Sequence, residues 1–248
     1  MVEFIENTHT YRETTTNTIL TSCTSLINTV KPIVNWDLEA EKKAKKIGIS
    51  KEELLKEWAD KKLNSQIQGT AVHLEKENFY KSLGKITKDN CELLIKWDSA
   101  NDCNNKCATS LKLDNNTIYI EKLIFDLYYK VAGQADRIEV INNTINIYDY
   151  KTSEKIVMRG FKSWDGTYKK MSPPLSHLED CNFNHYSLQL SLYLYLLLRS
   201  NPEMKPGEMV IEHLIMENGK VINTQDYPID YLKKEVHTLL NHFKKKNG

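Results

Sequence analysis

Residues 131–152 constrain this chain more than any other segment. Val131–Ile141 (VAGQADRIEVI) reads as a strand, and Thr144–Thr152 (TINIYDYKT) as its return. Asn142–Asn143 makes a two-residue turn, because asparagine tolerates the left-handed backbone such turns need. If Ile141 pairs with Thr144, the register is fixed. Val140 then faces Ile145, Ile138 faces Ile147, and Asp136 faces Asp149. Lys151 lies two residues past Asp149 and shares its face. Opposed residues have Cβ atoms roughly 5 Å apart, where like charges are destabilising. Two carboxylates beside a lysine, on a face otherwise carrying isoleucine and valine, point to a bound cation. The competing reading is chance, since acidic strand ends and D-x-K triplets are common.

The length of 248 residues suits one large domain or two small ones. Hydrophobic residues make up 40% and charged residues 27%, as in ordinary globular proteins. The most apolar run, Leu188–Leu198, is too short to cross a bilayer. The N-terminus lacks the pattern of a secretory signal, so an intracellular, cytoplasmic protein without membrane contact is expected. A net charge of +1 neither favours nor disfavours nucleic acid. The five cysteines are Cys23, Cys91, Cys103, Cys107 and Cys181. An odd count argues against a disulfide framework. The Cys103–Cys107 pair lacks two further ligands for a structural metal.

Helical patterns occupy Ile19–Val30, capped by Ser22 or Thr24, then Asp37–Ile47, Lys51–Lys62 and Thr70–Leu83. Ser50 and Glu53 form a capping box. Thr14–Thr18 reads as a turn or short strand. Leu93–Trp97, Ala108–Leu113, Thr117–Tyr129 and the 131–152 hairpin read as a meander, with a further turn at Asn104–Asn105. A long loop, Ser163–Asn184, precedes a helix at His185–Arg199. A hairpin around Asn218–Gly219 and a helix over Pro228–Lys245 close the chain. These elements predict one α/β domain over 1–248. Its core is a central mixed β-sheet flanked by helices over 69–248, after a mainly helical N-terminal part over 1–68.

Two further groups carry chemistry. His73 follows Gly69-Thr70-Ala71, small residues that let a helix approach a sheet, and shares a face with Glu77. Tyr186, Gln189, Leu190, Tyr193 and Leu197 form one helical stripe. The stripe is core, yet the Gln189 amide needs partners there, at strand ends or on a phosphate.

Four ordered motifs are present: G-T-x-x-H (Gly69–His73), G-x-x-D-R (Gly133–Arg137), D-Y-K-T (Asp149–Thr152) and Q-x-x-x-Y (Gln189–Tyr193). Together they resemble the PD-(D/E)XK nucleases, and most closely a RecB-like branch that includes mitochondrial and phage exonucleases. His9–Tyr11, Thr21–Thr24 and Pro174–Leu178 add to the likeness. The resemblance implies a restriction-endonuclease-like fold and a metal-dependent DNA exonuclease. Its metal ligands would be His73, Asp136, Asp149 and the Tyr150 carbonyl, with Glu121 as an extra acid. Lys151 would be the catalytic lysine, acting with Asp136 and Asp149. Gln189, Tyr193, Arg137, Thr152, Ser22 and Thr24 would brace the site or contact DNA. Ala135 replaces the family's usual proline.

The resemblance also implies Mg²⁺ or Mn²⁺ as cofactor, since carboxylate and carbonyl oxygens suit these hard ions. It implies DNA with free or single-stranded ends as partner. Relatives with an iron–sulfur cluster carry cysteines after the Q-x-x-x-Y helix. None follows Cys181 here, so no cluster is expected. The alternatives are a structure-specific or restriction-type endonuclease, or a DNA-binding module on the same fold. Residues 4–62 could form an arch for a single strand, with Trp36 and Trp58 stacking on bases or simply packing as core.

Overall fold

The computed structural model describes residues 1–88, 91–97, 106–108 and 110–247, excepting the side chains of residues 7 and 106–108. Three short strands open the chain: β1 (Val2–Ile5), β2 (Thr10–Glu13) and β3 (Thr18–Ser22). Helices α1 (Cys23–Asn28), α2 (Trp36–Ile47) and α3 (Lys51–Leu83) follow. Next come β4 (Lys85–Lys88), β5 (Cys91–Trp97), β6 (Lys106–Ala108), β7 (Thr117–Asp126), β8 (Val131–Ile141) and β9 (Thr144–Lys151). Helix α4 (Asn182–Ser200), strands β10 (Lys205–Glu217) and β11 (Lys220–Pro228), and helix α5 (Lys233–Asn247) complete the order.

The hairpin of β8 and β9 has the expected register. Ile141 pairs with Thr144, Val140 with Ile145 and Ile138 with Ile147. Asn142 and Asn143 both have positive φ, as the tight turn requires. The ladder stops at Arg137–Tyr148, one rung short of Asp136 and Asp149. There β8 forks. Its 137–141 part pairs β9, its first two residues pair β3 in parallel, and β7 pairs its other edge over 131–140 except at Asp136. Residues 133–136 lie at the opening between β3 and β9.

The sheet is mixed, since β3–β8, β5–β7 and β9–β10 are parallel pairs among antiparallel ones. The crossover from β9 to β10 contains α4. This helix lies on the main core with Leu188, Leu190, Leu192 and Leu194, all fully buried against Ile138, Val140, Ile145 and Ile147. The long helix α3 covers the opposite side, where it meets β5 and β7.

Four expectations need correction. The helix expected over 19–30 begins as strand β3 and is helical only at Cys23–Asn28; residues 1–68 are mainly helical, though Val2, Phe4, Tyr11 and Leu20 of their three strands form a small second core. The two helices expected at 51–62 and 70–83 are one, and Gly69 lies inside it. A mid-helix glycine costs only about 1 kcal/mol against alanine, too little to break 33 residues. Strand β5 is not part of a meander but runs parallel to β7. Residues 110–113 are not strand. They are fixed instead by Asn201, whose side chain accepts from Leu113 N–H and donates to Leu111 O.

Ser22 caps α1 and Ser50 caps α3, each side chain accepting a backbone N–H three residues on. The turn at 104–105 and Cys103 lie outside the described residues, as does the Cys107 side chain. Among the described residues no helix is long and apolar enough to cross a membrane.

Candidate metal centre and active site

The site grows from a break in sheet periodicity. An even strand keeps one parity towards each face. On β7 the main core takes Tyr119 and then Ile124; on β8 it takes Val140 and Ile138 and then Ala135 and Val131. Both strands change parity at Glu121 and Asp136. The rung between those two residues is missing, although its neighbours Ile120–Arg137 and Lys122–Ala135 are paired. Glu121 has φ 52°, a left-handed conformation that costs a non-glycine residue about 1 kcal/mol or more. Such strained backbone is typical of functional sites.

This switch puts Asp136 within reach of both sides of the sheet. Its Oδ1 lies 3.4 Å from His73 Nδ1 on α3. Its Oδ2 accepts the Tyr150 N–H of β9 at 2.7 Å. Glu121 Oε1 lies 3.7 Å from the same imidazole nitrogen. Ligand atoms of His73, Glu121 and Asp136 all fall within 4.8 Å of one another. Burial alone would lower the His73 pKa, but Asp136 and Glu121 outweigh it and raise it to about 10. Burial alone would raise Asp136; His73 and Lys151 outweigh it and hold the carboxyl below its ordinary range. The cluster is therefore a negative pocket occupied by a protonated imidazole. One nitrogen and two carboxylates are the donor set of a divalent cation, which would take the proton's place.

Asp149 and Lys151 stand on the α4 side. Asp149 is 1% exposed. Burial, and then the Asp136 charge, push its pKa up to about 6. Lys151 Nζ is paired with Asp149 Oδ2 and lies 5.0 Å from the centre of the Tyr186 ring. Asp149 and Asp136 together outweigh burial and keep Lys151 an ammonium. Asp149 is not part of the three-residue cluster; its buried Oδ2 is paired with Lys151.

The remaining candidates divide. Gln189 donates to the Tyr193 hydroxyl at 2.9 Å, rather than to a strand end. Tyr193 lies against Gly133, where a Cβ would meet its ring at 2.6 Å and Cys23 Sγ at 3.2 Å. That close approach is why a glycine opens G-x-x-D-R. Thr152 meets Gly69 of α3, its hydroxyl 3.5 Å from where a Cβ would be. Ser22 bonds to Ser25, and Thr24 is exposed on the first turn of α1.

Arg137 faces the α3 side. Its guanidinium donates to the Tyr80 and Tyr150 hydroxyls, pairs with Glu212 at 2.5 Å and stacks 4.1 Å from the centre of Tyr148. It joins α3 to β8, β9 and β10 and does not face the opening. Sequence reasoning missed Gln134, which donates to Glu121. Its position two residues before Asp136 was the available signal.

A family model described as the PD-(D/E)XK nuclease superfamily matches residues 41–246. The chain belongs to this superfamily. Its sheet and flanking helices are a restriction-endonuclease-like fold, and the superfamily uses divalent metals to cut nucleic acids. Among curated proteins none matches significantly. A solved structure described as "Crystal structure of SSO0001" aligns over 92% of this chain and 76% of that one. At 15% identity and a TM-score of 0.34, that likeness carries no argument.

Proposed function

We propose that the chain is a metal-dependent DNA exonuclease, acting on linear or single-stranded ends during replication, recombination or repair. One observation carries the chemical part: the His73–Glu121–Asp136 cluster adjoins the Asp149–Lys151 pair across a fork in the sheet. The motif order quoted above supports the exonuclease branch.

Mg²⁺ or Mn²⁺ held by His73, Glu121 and Asp136, with Asp149 and the Tyr150 carbonyl as further oxygens, would neutralise charge on the scissile phosphate and acidify a water. The chain's own residues do the rest. The Tyr150 N–H fixes one oxygen of Asp136 and leaves the other turned towards His73. Lys151, as an ammonium, stabilises charge building on the phosphate and orients the attacking water. Gln189 and Tyr193 support the α4 side of the opening. One nuclease domain spans 1–248.

The test is degradation of end-labelled linear single- and double-stranded DNA beside a closed circle, with Mg²⁺, Mn²⁺ or EDTA. Metal-dependent shortening from an end, absent on the circle, supports the exonuclease. Nicking of the circle would replace it with an endonuclease. DNA binding without cleavage under any metal would leave a binding module.

A further inference from the structure

Remote from the metal cluster, large apolar side chains gather on the surface. Ile33 is fully exposed, Trp36 is 65% exposed and Phe161 75% exposed. With Lys43, Trp58 and Lys169 they line an open cleft of about 550 Å³. Such a patch marks an interaction site, since each exposed indole or phenyl forfeits burial. Trp36 and Trp58 meet edge to face at 6.2 Å, and Trp36 stays largely exposed. Lys43 Nζ lies 5.4 Å from the Trp58 ring centre. Lys169 reaches Asp180 at 3.4 Å, and the one acid of the lining, Glu39, is paired with Lys42. Aromatic faces interleaved with lysines form the chemistry that holds unpaired bases and their phosphates.

Helix α3 links this cleft to the metal centre. Trp58 and His73 are fifteen residues apart, or about 22 Å along the axis and about 60° around it. Between them lies a second cleft of about 630 Å³, lined by Glu57, Asp60, Lys61 and Gln68 of α3, by Glu154, which pairs with Lys61, and by Thr152 and Ser153. Those last two residues directly follow Lys151.

We propose that the aromatic cleft is a stacking site for bases of single-stranded nucleic acid, from which the strand runs along α3 to the metal centre. The route rests on the nuclease reading; base stacking in the cleft does not. The test is binding of a fluorescein-labelled oligothymidylate in EDTA, where no cleavage occurs, with tryptophan fluorescence as a second signal. Wild type, Trp36→Ala, Phe161→Ala and the conservative Trp36→Phe are compared, alongside a duplex of equal length. Both alanine substitutions lie at exposed positions, and unchanged thermal unfolding verifies their fold.

The expected result is quenching in wild type and single-strand affinity about tenfold weaker in each alanine variant, one stacked base being worth about 1–3 kcal/mol. Trp36→Phe retains most of the affinity, and duplex binding is unchanged. Equal oligothymidylate affinity in wild type and both alanine variants would overturn the proposal. So would unchanged affinity accompanied by loss of self-association, which would make the cleft a protein interface. Lost binding in the variants with no metal-dependent cleavage by wild type would sink the nuclease reading and keep the cleft. Cleavage with variant affinities unchanged would do the reverse.

Discussion

The two sides of the β8–β9 hairpin are built on opposite terms. The α4 side is a dry core: Ile138, Val140, Ile145 and Ile147 meet the leucines of α4 with no exposed surface. The α3 side is held by polar and aromatic contacts around Arg137, with Tyr80, Tyr148, Tyr150, Glu139 and Glu212. Only Leu54 and Val72 of α3 are buried along its whole length. Stability therefore resides with α4, and the placement of His73 depends on the polar side. The groups proposed for catalysis come from both: Asp149 and Lys151 from the α4 side, His73 from α3, and Asp136 at the switch between them.

The largest effect comes from the group where the sides meet. Lys151→Ala lowers cleavage at least about a thousandfold while leaving DNA binding in place, since electrostatic stabilisation of the phosphate is lost. Loss of binding by a folded variant would remove that role. Next, Leu190→Ala on the α4 side costs about 3 kcal/mol by cavity formation, read from urea unfolding. The metal affinity of the folded protein stays at the wild-type value.

Arg137→Met sharpens the contrast. It costs about 2 kcal/mol, because Glu139 and Glu212 lose a buried partner. It also weakens metal binding about tenfold, as α3 is no longer tied to the sheet. If Arg137→Met and Leu190→Ala shifted metal affinity equally, the division of labour would be wrong.

A separate effect is a pH dependence in metal-free protein. The folded pKa of His73, about 10, lies above its ordinary value. Its stabilising contribution is thus complete below about 6.5 and is lost as pH rises through about 10. Urea unfolding in EDTA from pH 6 to pH 10 should show wild type losing more stability than His73→Asn. Parallel curves would contradict the raised pKa.

The hairpin and its Asp149–Lys151 pair were legible because local rules dictate them: an asparagine turn sets a register, and a register sets a face. The prominence of Glu121 was not legible, since it depends on a left-handed residue in β7 and a parity switch shared with β8. No local pattern announces either. Arg137 read as a site residue because it adjoins Asp136 in sequence, yet alternation turns it towards α3. The strands at 2–22 escaped notice because each has only four or five residues; β1 pairs β2 and β2 pairs β3 locally, but the pairings that tie them to the sheet, β3 with β8 and β1 with β6, lie more than a hundred residues away. The fusion of two helices into α3 shows propensity and length outweighing one glycine.

The central claim is that His73, Glu121 and Asp136 together hold a divalent cation beside Lys151. Calorimetric titration of Mn²⁺ into wild type and Glu121→Gln tests it most directly, because the substitution keeps shape and removes one charged ligand. The account predicts a saturable site in wild type and at least about tenfold weaker binding in the variant. Equal Mn²⁺ affinity in the two proteins, both folded, would contradict it.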